Sequence, residues 1–135
     1  MSPMRLIPAV IALAFAAGPL SAQAAEDVVA GEKIFRRCAS CHSVGPAPAT
    51  RMGPALNGVM GRKAGTYPDY SYSAGLTKSG LVWKKDTLAA YLKNPRAAVP
   101  GTKMAFAGLQ TDDEITDVIA YLKQFDAEGA KRPAR

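Results

Sequence analysis

The sequence predicts a small all-α protein, and three observations support this fold class. Apolar residues recur at helical spacing in three segments, near residues 28–38, 86–94 and 111–125. The stretch between positions 42 and 83 is rich in Gly, Pro, Ser and Tyr and has no period of its own. With 135 residues, 48% of them hydrophobic, the chain has the size of one domain. We therefore expect three main helices joined by long loops.

The first predicted helix begins near Asp27 and continues into the following cysteine motif. One face of it carries residues spaced by 3, 4 and 3 positions: Val28, Gly31, Phe35 and Cys38. Gly31 lowers helix propensity, which is acceptable where a second helix approaches closely. The sequence therefore predicts that this face packs on another helix.

The other two helices have recognisable starts and ends. One is predicted from an Asp86 cap through Leu88 and Tyr91, and it must stop near Asn94 because Pro95 follows. The last helix starts with a capping box, and an apolar face follows, in the order Thr111-Asp112-Asp113-Glu114, then Ile115, Val118, Ile119 and Leu122. The chain between His42 and Trp83 lacks such signals, so another group must supply the apolar core around it.

Residues 1–24 have the composition of a secretory signal. They contain a basic residue, an apolar stretch, a helix breaker and a small-residue cleavage motif: Arg5, residues 6–17, Gly18-Pro19 and Ala22-Gln23-Ala24. Cleavage after Ala24 leaves a domain of 111 residues, 25–135, and lowers the formal charge from +6 to +5 because Arg5 is lost. An uncleaved membrane anchor is the alternative, since about 20 uncharged residues can cross a bilayer.

Both cysteines and the only histidine lie in one run, Cys38-Ala39-Ser40-Cys41-His42. C-x-x-C-H is the attachment motif of c-type haem. Two thiols three residues apart on a helical turn can add to the two vinyl groups of one porphyrin edge, and the next residue places its imidazole under the iron. One haem c bound through Cys38 and Cys41 would also supply the apolar core that the middle of the chain lacks.

Three other uses of this motif are less consistent with the sequence. A redox-active C-x-x-C is typical of a βαβ setting, which the following residues do not show. A structural zinc site needs four ligands, and with two Cys and one His in the chain the fourth could only be a carboxylate, which is uncommon. A short-loop disulfide leaves His42 without a role.

With this motif, the mature chain resembles a class I c-type cytochrome of the cytochrome c2 and mitochondrial cytochrome c group. The resemblance covers nearly all of residues 26–126, in the runs Gly31-Glu32-Lys33-Ile34-Phe35, Cys38-Ala39-Ser40-Cys41-His42, Met52-Gly53-Pro54-Ala55-Leu56, Gly61-Arg62, Tyr91-Leu92-Lys93-Asn94-Pro95, Pro100-Gly101-Thr102-Lys103-Met104-Ala105-Phe106 and Ile119-Ala120-Tyr121-Leu122-Lys123. It implies a small cytochrome c fold, in which three main helices and the loops wrap around one covalent haem.

The iron then needs a sixth ligand besides His42, and the mature chain offers three methionines. Met52 and Met60 follow His42 closely, in the stretch that must first pass around the proximal side. Met104 lies on a Pro-Gly loop between two helices, far enough along the chain to reach the other haem face. The resemblance also identifies Met104, so we expect His42 and Met104 as the metal ligands.

The resemblance implies further contacts with the cofactor. The Pro54 carbonyl is expected to accept the second imidazole N–H of His42. The Tyr91 hydroxyl is expected near the methionine sulfur, and Phe106 beside the haem edge. Four side chains are expected to hydrogen-bond or neutralise the propionates: Arg62, Tyr72, Trp83 and Thr102. Ordinary aromatic packing is the alternative for the Tyr and Trp of this set.

Two axial protein ligands would leave the iron without a free position, which indicates electron transfer and not catalysis. The expected protein is a soluble periplasmic one-electron carrier. The resemblance implies a bc1-type complex as donor, and a terminal oxidase or photosynthetic reaction centre as acceptor. The alternatives are an electron acceptor dedicated to one periplasmic dehydrogenase and a haem peroxidase or gas-binding protein.

Basic residues align with positions that surround the exposed haem edge in the family: Arg37, Arg51, Arg96 and Lys103. They imply an acidic docking face on the partner. A solvated basic surface that favours solubility is the alternative. Ala97, Ala98, Gln110 and Thr111 stand where lysines are frequent, so this ring of charge is thinner than usual. We expect a monomer that contacts membrane surfaces only transiently and does not bind nucleic acid.

Overall fold

The computed structural model describes Gly18 and residues 25–133. Within this part the chain forms five helices: α1 (Val28–Phe35), α2 (Ala74–Lys78), α3 (Lys85–Lys93), α4 (Pro95–Ala98) and α5 (Asp112–Lys123). The all-α fold class is confirmed, and α1, α3 and α5 are the three predicted main helices. The predicted signal segment, residues 1–24, lies outside the described residues apart from Gly18.

Extended structure is minor in the part of the chain that the structure describes. It consists of the isolated antiparallel bridges Lys63–Val82 and Phe125–Lys131. In the same part, no helix is both long and apolar enough to span a bilayer.

Helices α1 and α5 pack closely together at Gly31. Gly31 is buried, and a Cβ atom there would overlap the backbone carbonyl of Asp117. The Asp27 carboxylate caps α1 by accepting the Ala30 N–H at 2.9 Å, and the Asp27 N–H donates to the Asp117 carboxylate at 2.9 Å. The glycine that costs helix propensity thus allows the close approach predicted for it.

Helix α1 ends before the cysteine motif, whereas the sequence predicted that it would continue into it. After Phe35 the backbone bonds change from i−4 to i−3 acceptors, as in Arg37 N–H to Ile34 O at 3.0 Å and Cys38 N–H to Phe35 O at 2.8 Å. These tighter turns terminate the α-helix at Phe35 and carry the cysteines.

Helix α3 begins one residue earlier than Asp86, so the prediction of Asp86 as its cap is wrong. The N-cap is Lys84, and its N–H donates to the Thr87 hydroxyl at 2.8 Å. Asp86 lies in the first turn, where a carboxylate interacts favourably with the helix dipole. The helix ends at Lys93, as expected from Pro95.

The two short helices were not predicted. Ser73 caps α2 by accepting the Leu76 N–H at 3.2 Å, and Asn94 caps α4 by accepting the Ala97 N–H at 3.1 Å. Helix α5 has the predicted capping box, in which the Thr111 hydroxyl accepts the Glu114 N–H at 3.1 Å. The buried core contains side chains from the helices and from the loops before α3, among them Phe35, Val59, Leu76, Trp83, Leu92, Val118 and Ile119.

Candidate functional site

A mainly apolar cavity of about 290 Å³ lies between α1, α3, α5 and the loops that follow His42 and Val99. All eleven residues expected to bind the cofactor line it: Cys38, Cys41, His42, Pro54, Arg62, Tyr72, Trp83, Tyr91, Thr102, Met104 and Phe106. The rest of its wall is largely aliphatic and includes Leu56, Val59, Leu76, Leu88, Leu92, Val118 and Leu122. Such a wall suits a large apolar ligand with a few polar groups.

The cysteine motif forms a single turn at the cavity wall. Cys41 N–H and His42 N–H both donate to the Cys38 carbonyl, at 3.1 and 2.9 Å. Both thiols are free and partly buried, and burial raises the pKa of Cys38. Two adjacent thiols and an imidazole on one apolar wall fit a covalently attached porphyrin.

A zinc site has no support from the geometry. Across the residues that the structure describes, no group of three or more His, Cys, Asp or Glu side chains is arranged to hold a metal ion.

The imidazole of His42 is held from two sides. Its Nδ1 lies 2.7 Å from the Pro54 carbonyl oxygen, and a carbonyl can only accept, so Nδ1 carries the proton. Nε2 therefore keeps its lone pair for a metal ion. Gly53 lies against the ring so closely that a Cβ atom there would overlap it. Burial holds the pKa of His42 below its usual 6.5, although the bond to Pro54 opposes this effect.

The three methionines occupy different environments. Met104 is partly buried and lines the cavity. Met60 is partly buried against the core and is not among the lining residues. Met52 lines the cavity but is 79% exposed, so its side chain lies mainly in solvent. Of the three, Met104 has the position best suited to a buried ligand.

A hydroxyl pair connects α3 to the Met104 loop. The Tyr91 hydroxyl lies 2.7 Å from the Thr102 hydroxyl, which also accepts the Met104 N–H at 3.3 Å. The ring of Trp83 lies 5.0 Å from that of Tyr91, measured between centroids. Tyr91 thus contacts Thr102 directly, and together they hold the backbone of Met104.

Arg62 brings a positive charge to the cavity wall. Its guanidinium donates to the carbonyls of Asn57 at 2.9 Å and Ala55 at 3.4 Å, and burial lowers its pKa. No carboxylate of residues 25–133 forms an ion pair with it. A partly buried cation of this kind, with the Tyr72 hydroxyl nearby, suits an anionic group such as a haem propionate.

Sequence reasoning missed the roles of Gly53 and Tyr70. The Tyr70 hydroxyl donates to the Met52 carbonyl at 2.9 Å, and its ring packs edge-on against Tyr72 with centroids 4.7 Å apart. The Lys103 ammonium donates to the Ser71 carbonyl and lies 4.6 Å from the centre of the Tyr70 ring. No pattern in the loop sequence indicates these contacts, because they join positions 18 and 32 residues apart.

The four basic residues expected at a docking surface differ in position. Arg37 and Lys103 line the cavity, whereas Arg51 and Arg96 do not. Arg37 is paired with Glu114 at 2.9 Å, and Arg51 donates to the Ala39 carbonyl at 3.2 Å, between the two cysteines. Arg51 therefore lies beside the cysteine motif although it is outside the cavity wall.

The chain matches the family described as cytochrome c over residues 28–126. Cytochrome c2 of Blastochloris viridis is 41% identical over 116 residues, which cover 86% of this chain and 91% of that protein. A cytochrome c2 of Rhodoplanes tepidamans is 49% identical over 107 residues, covering 79% of this chain and 100% of that protein.

A solved structure agrees with these sequence relationships. Cytochrome cH from Methylobacterium extorquens is 44% identical in sequence and superposes with a TM-score of 0.68. The match covers 72% of this chain and 97% of that protein. The chain therefore belongs to the cytochrome c family, and it carries electrons on one haem c bound covalently through Cys38 and Cys41.

Proposed function

We propose that the protein is a soluble periplasmic one-electron carrier in which His42 and Met104 are the axial ligands of the haem iron. The observation that carries this proposal is that the two side chains line one cavity, whereas Met60 does not line it and Met52 is 79% exposed. The bound haem supplies one-electron exchange between ferric and ferrous iron, and a soft thioether donor favours the ferrous form.

The residues around the ligands hold them in place. The Pro54 carbonyl fixes the tautomer and orientation of His42 and makes the imidazole a better donor. The Thr102 hydroxyl holds the Met104 backbone, and Tyr91 holds Thr102. Two such protein ligands would leave the iron without an open position for peroxide or oxygen. These contacts support a carrier over a peroxidase.

Three polar side chains are proposed to receive the propionates, namely Arg62, Tyr72 and Trp83. All three line the cavity, and Arg62 brings a charge without a carboxylate partner in residues 25–133. We assign Thr102 primarily to the methionine loop, since its hydroxyl is already bonded to Tyr91. Phe106 completes the wall next to Met104.

Substitution of the methionines tests the ligand assignment. We expect Met104→Ala to abolish the weak ferric absorption band near ~695 nm that reports sulfur on iron, and to lower the reduction potential. Met60→Leu and Met52→Leu are the matched controls, and each should keep the band and the potential. Survival of the band in Met104→Ala with its loss in either control would contradict the assignment.

We further propose that residues 1–24 are removed on export and that residues 25–135 form the mature domain. The signal-like composition and the bacterial cytochrome c2 relatives support this location. N-terminal sequencing of the exported protein tests the boundary after Ala24.

The proposed partners are membrane redox complexes with acidic faces: a bc1-type donor, and a terminal oxidase or reaction centre as acceptor. Arg37, Arg51 and Lys103 lie at the cavity wall or beside the cysteine motif, near the proposed haem edge. Attraction between these residues and an acidic face would increase the association rate and weaken with salt.

Charge neutralisation tests this docking surface. We expect Arg51→Gln to lower the second-order rate of reduction by a purified bc1-type complex several-fold at low ionic strength, because steering depends on charge near the contact. Lys123→Gln is a charge-matched control, since Lys123 is exposed and lies near Glu26, away from the cavity wall. Equal slowing by both substitutions would rule out a localised surface.

A further inference from the structure

The chain after α5 forms a closed turn, which we call the C-terminal turn (residues 124–132). The Asp126 N–H donates to the Ala130 carbonyl at 3.1 Å, and the Asp126 carboxylate accepts the Ala130 N–H at 2.8 Å. The Arg132 N–H donates to the Gln124 carbonyl at 2.7 Å. These bonds give the turn a defined shape of its own, so it can act as a unit.

The C-terminal turn packs on the segment that follows His42, which we call the proximal loop (residues 43–58). The Gly58 N–H donates to the Phe125 carbonyl at 3.2 Å. Gly129 is buried with φ of 83°, and a Cβ atom there would overlap the Gly45 carbonyl. The two backbones are therefore in direct contact, at a place where only glycine fits.

Asn57 joins the two ends of the proximal loop at this contact. Its side chain is 2% exposed, and its amide exchanges two hydrogen bonds of 2.9 Å with the backbone N–H and carbonyl of Gly45. A Cβ atom at Gly129 would lie 2.6 Å from the Asn57 amide nitrogen, so the C-terminal turn covers this pair. Removal of that cover would admit water to both hydrogen bonds.

The proximal loop holds His42 from within the span that Asn57 closes. The Gly53 N–H donates to the Cys41 carbonyl at 2.9 Å, and Gly53 lies against the imidazole. The Pro54 carbonyl accepts a hydrogen bond from His42 Nδ1, with 2.7 Å between nitrogen and oxygen. Pro54 lies three residues before Asn57, within the span that the Asn57–Gly45 bonds close. A displacement of this span moves the acceptor away from the ring.

We infer that the C-terminal turn is a strap that holds the proximal loop against His42, with Asn57 as the positioning residue between them. The inference rests on the proposed role of His42 as an iron ligand. A firm N–H to carbonyl bond strengthens the imidazole as a donor, and a stronger donor favours ferric iron. Loosening the strap should therefore raise the reduction potential while the sulfur-to-iron band stays in place.

Two changes to the holoprotein loosen the strap independently. Asn57→Ala removes both bonds to Gly45, and truncation after Asp126 removes the cover of Asn57. Truncation after Pro133 leaves residues 124–132 intact and is the matched control for the second change. Ile119→Val, in the buried part of α5 and away from the cavity wall, is the control for a general loss of stability.

Native-state hydrogen exchange reports the loop directly. The amides of Gly53 and Leu56 donate to Cys41 and Ser43, each at 2.9 Å. We expect their exchange to become about tenfold faster in Asn57→Ala and in the truncation after Asp126, as local opening becomes easier. Amides inside α5 should change much less, and the reduction potential should rise in both variants and in neither control.

Two outcomes would overturn the inference. If exchange speeds up equally across all helices, as in Ile119→Val, the strap contributes only to global stability. If Gly53 and Leu56 exchange faster but the potential matches that of the controls, the strap does not position His42. Neither outcome bears on the methionine assignment, which the Met104→Ala band tests separately, so the two proposals can fail independently.

Discussion

The α1–α5 pair packs backbone against backbone, whereas the loops between His42 and Trp83 direct their apolar side chains into the cavity. At the helix pair, Gly31 meets the Asp117 carbonyl and the ring of Phe35 lies 5.4 Å from that of Tyr121. Both helices have a side-chain N-cap, Asp27 for α1 and Thr111 for α5.

The loop region has a different source of order. Its Leu56, Val59 and Leu76 side chains line the cavity, and Val59 and Leu76 also belong to the buried core. Some of its polar contacts join distant positions, such as the bond from Tyr70 to Met52. The helix pair has close contacts of its own, whereas more of the loop side chains face the cavity, so we expect the loops to depend more on the haem proposed to fill it.

The largest effect should follow from removing haem attachment. In the double variant Cys38→Ala with Cys41→Ala, we expect loss of the cooperative thermal transition, because a chain of ~110 residues buries less than about two-thirds of its surface and here also loses its central apolar contact. Calorimetry and limited proteolysis measure this change. Early cleavage should fall in the loops and later cleavage in α1 and α5. A cooperative transition without haem would show that the loops are ordered by themselves.

The helix pair can be disturbed without touching the cavity by Gly31→Ala. In an exposed helix this change stabilises by up to ~1 kcal/mol, because alanine is the better helix former. Here the added Cβ overlaps the Asp117 backbone, so we expect the free energy of unfolding to fall by about 1–3 kcal/mol, as at other overpacked sites. Denaturant unfolding measures it.

Val29→Ala is the control for this change, since Val29 lies on the same helix and is exposed. Its effect should stay within about 0.5 kcal/mol. A stabilising Gly31→Ala would mean that the helices separate at little cost and that the pair does not depend on this close contact.

The smallest effect concerns acid sensitivity of the helix pair. The pKa of Glu114 lies below its usual 4.5, first because its carboxylate accepts the Gln110 and Thr111 N–H groups and then because Arg37 is close. A carboxyl group whose pKa is lowered by folding stabilises the fold above its unfolded pKa, and that contribution disappears as the pH falls through the folded pKa.

Glu114→Gln should therefore lower the melting temperature near neutral pH, and the difference from the wild type should shrink as the pH falls below about 4.5. Asp113→Asn removes an exposed charge from the same helix turn and serves as the matched control. If the melting temperatures of Glu114→Gln and the wild type differ by the same amount from neutral pH to pH ~3, the assigned role of the carboxylate is contradicted.

Sequence reasoning predicted the elements whose signals are local. The capping box at Thr111 and the spacing through Phe35 fall within single helices, so periodicity and caps identify α1 and α5. Helices α2 and α4 have 5 and 4 residues, too few to show a period. Asp86 did not identify the N-cap of α3. The N-cap is Lys84, and its N–H donates to the Thr87 hydroxyl.

The site was predicted where a motif or a family resemblance identified single residues, such as the cysteine motif and Pro54. Gly53 and Asn57 were not given roles, because their importance comes from a ring and a turn that fold against them. Burial of Asn57, a polar residue in a loop, has no periodic signal in the sequence. Such contacts become visible only when distant segments are placed together.

The tether between Lys103 and Ser71 has a consequence for how quickly complexes form and separate. A free lysine side chain gives up as much as ~2 kcal/mol of rotamer entropy when it is immobilised. Lys103 is already held by the Ser71 carbonyl and the Tyr70 ring in the unbound protein. In a complex that uses Lys103, little further freedom is lost at this position, and the attraction of its charge acts from a fixed point at the cavity wall.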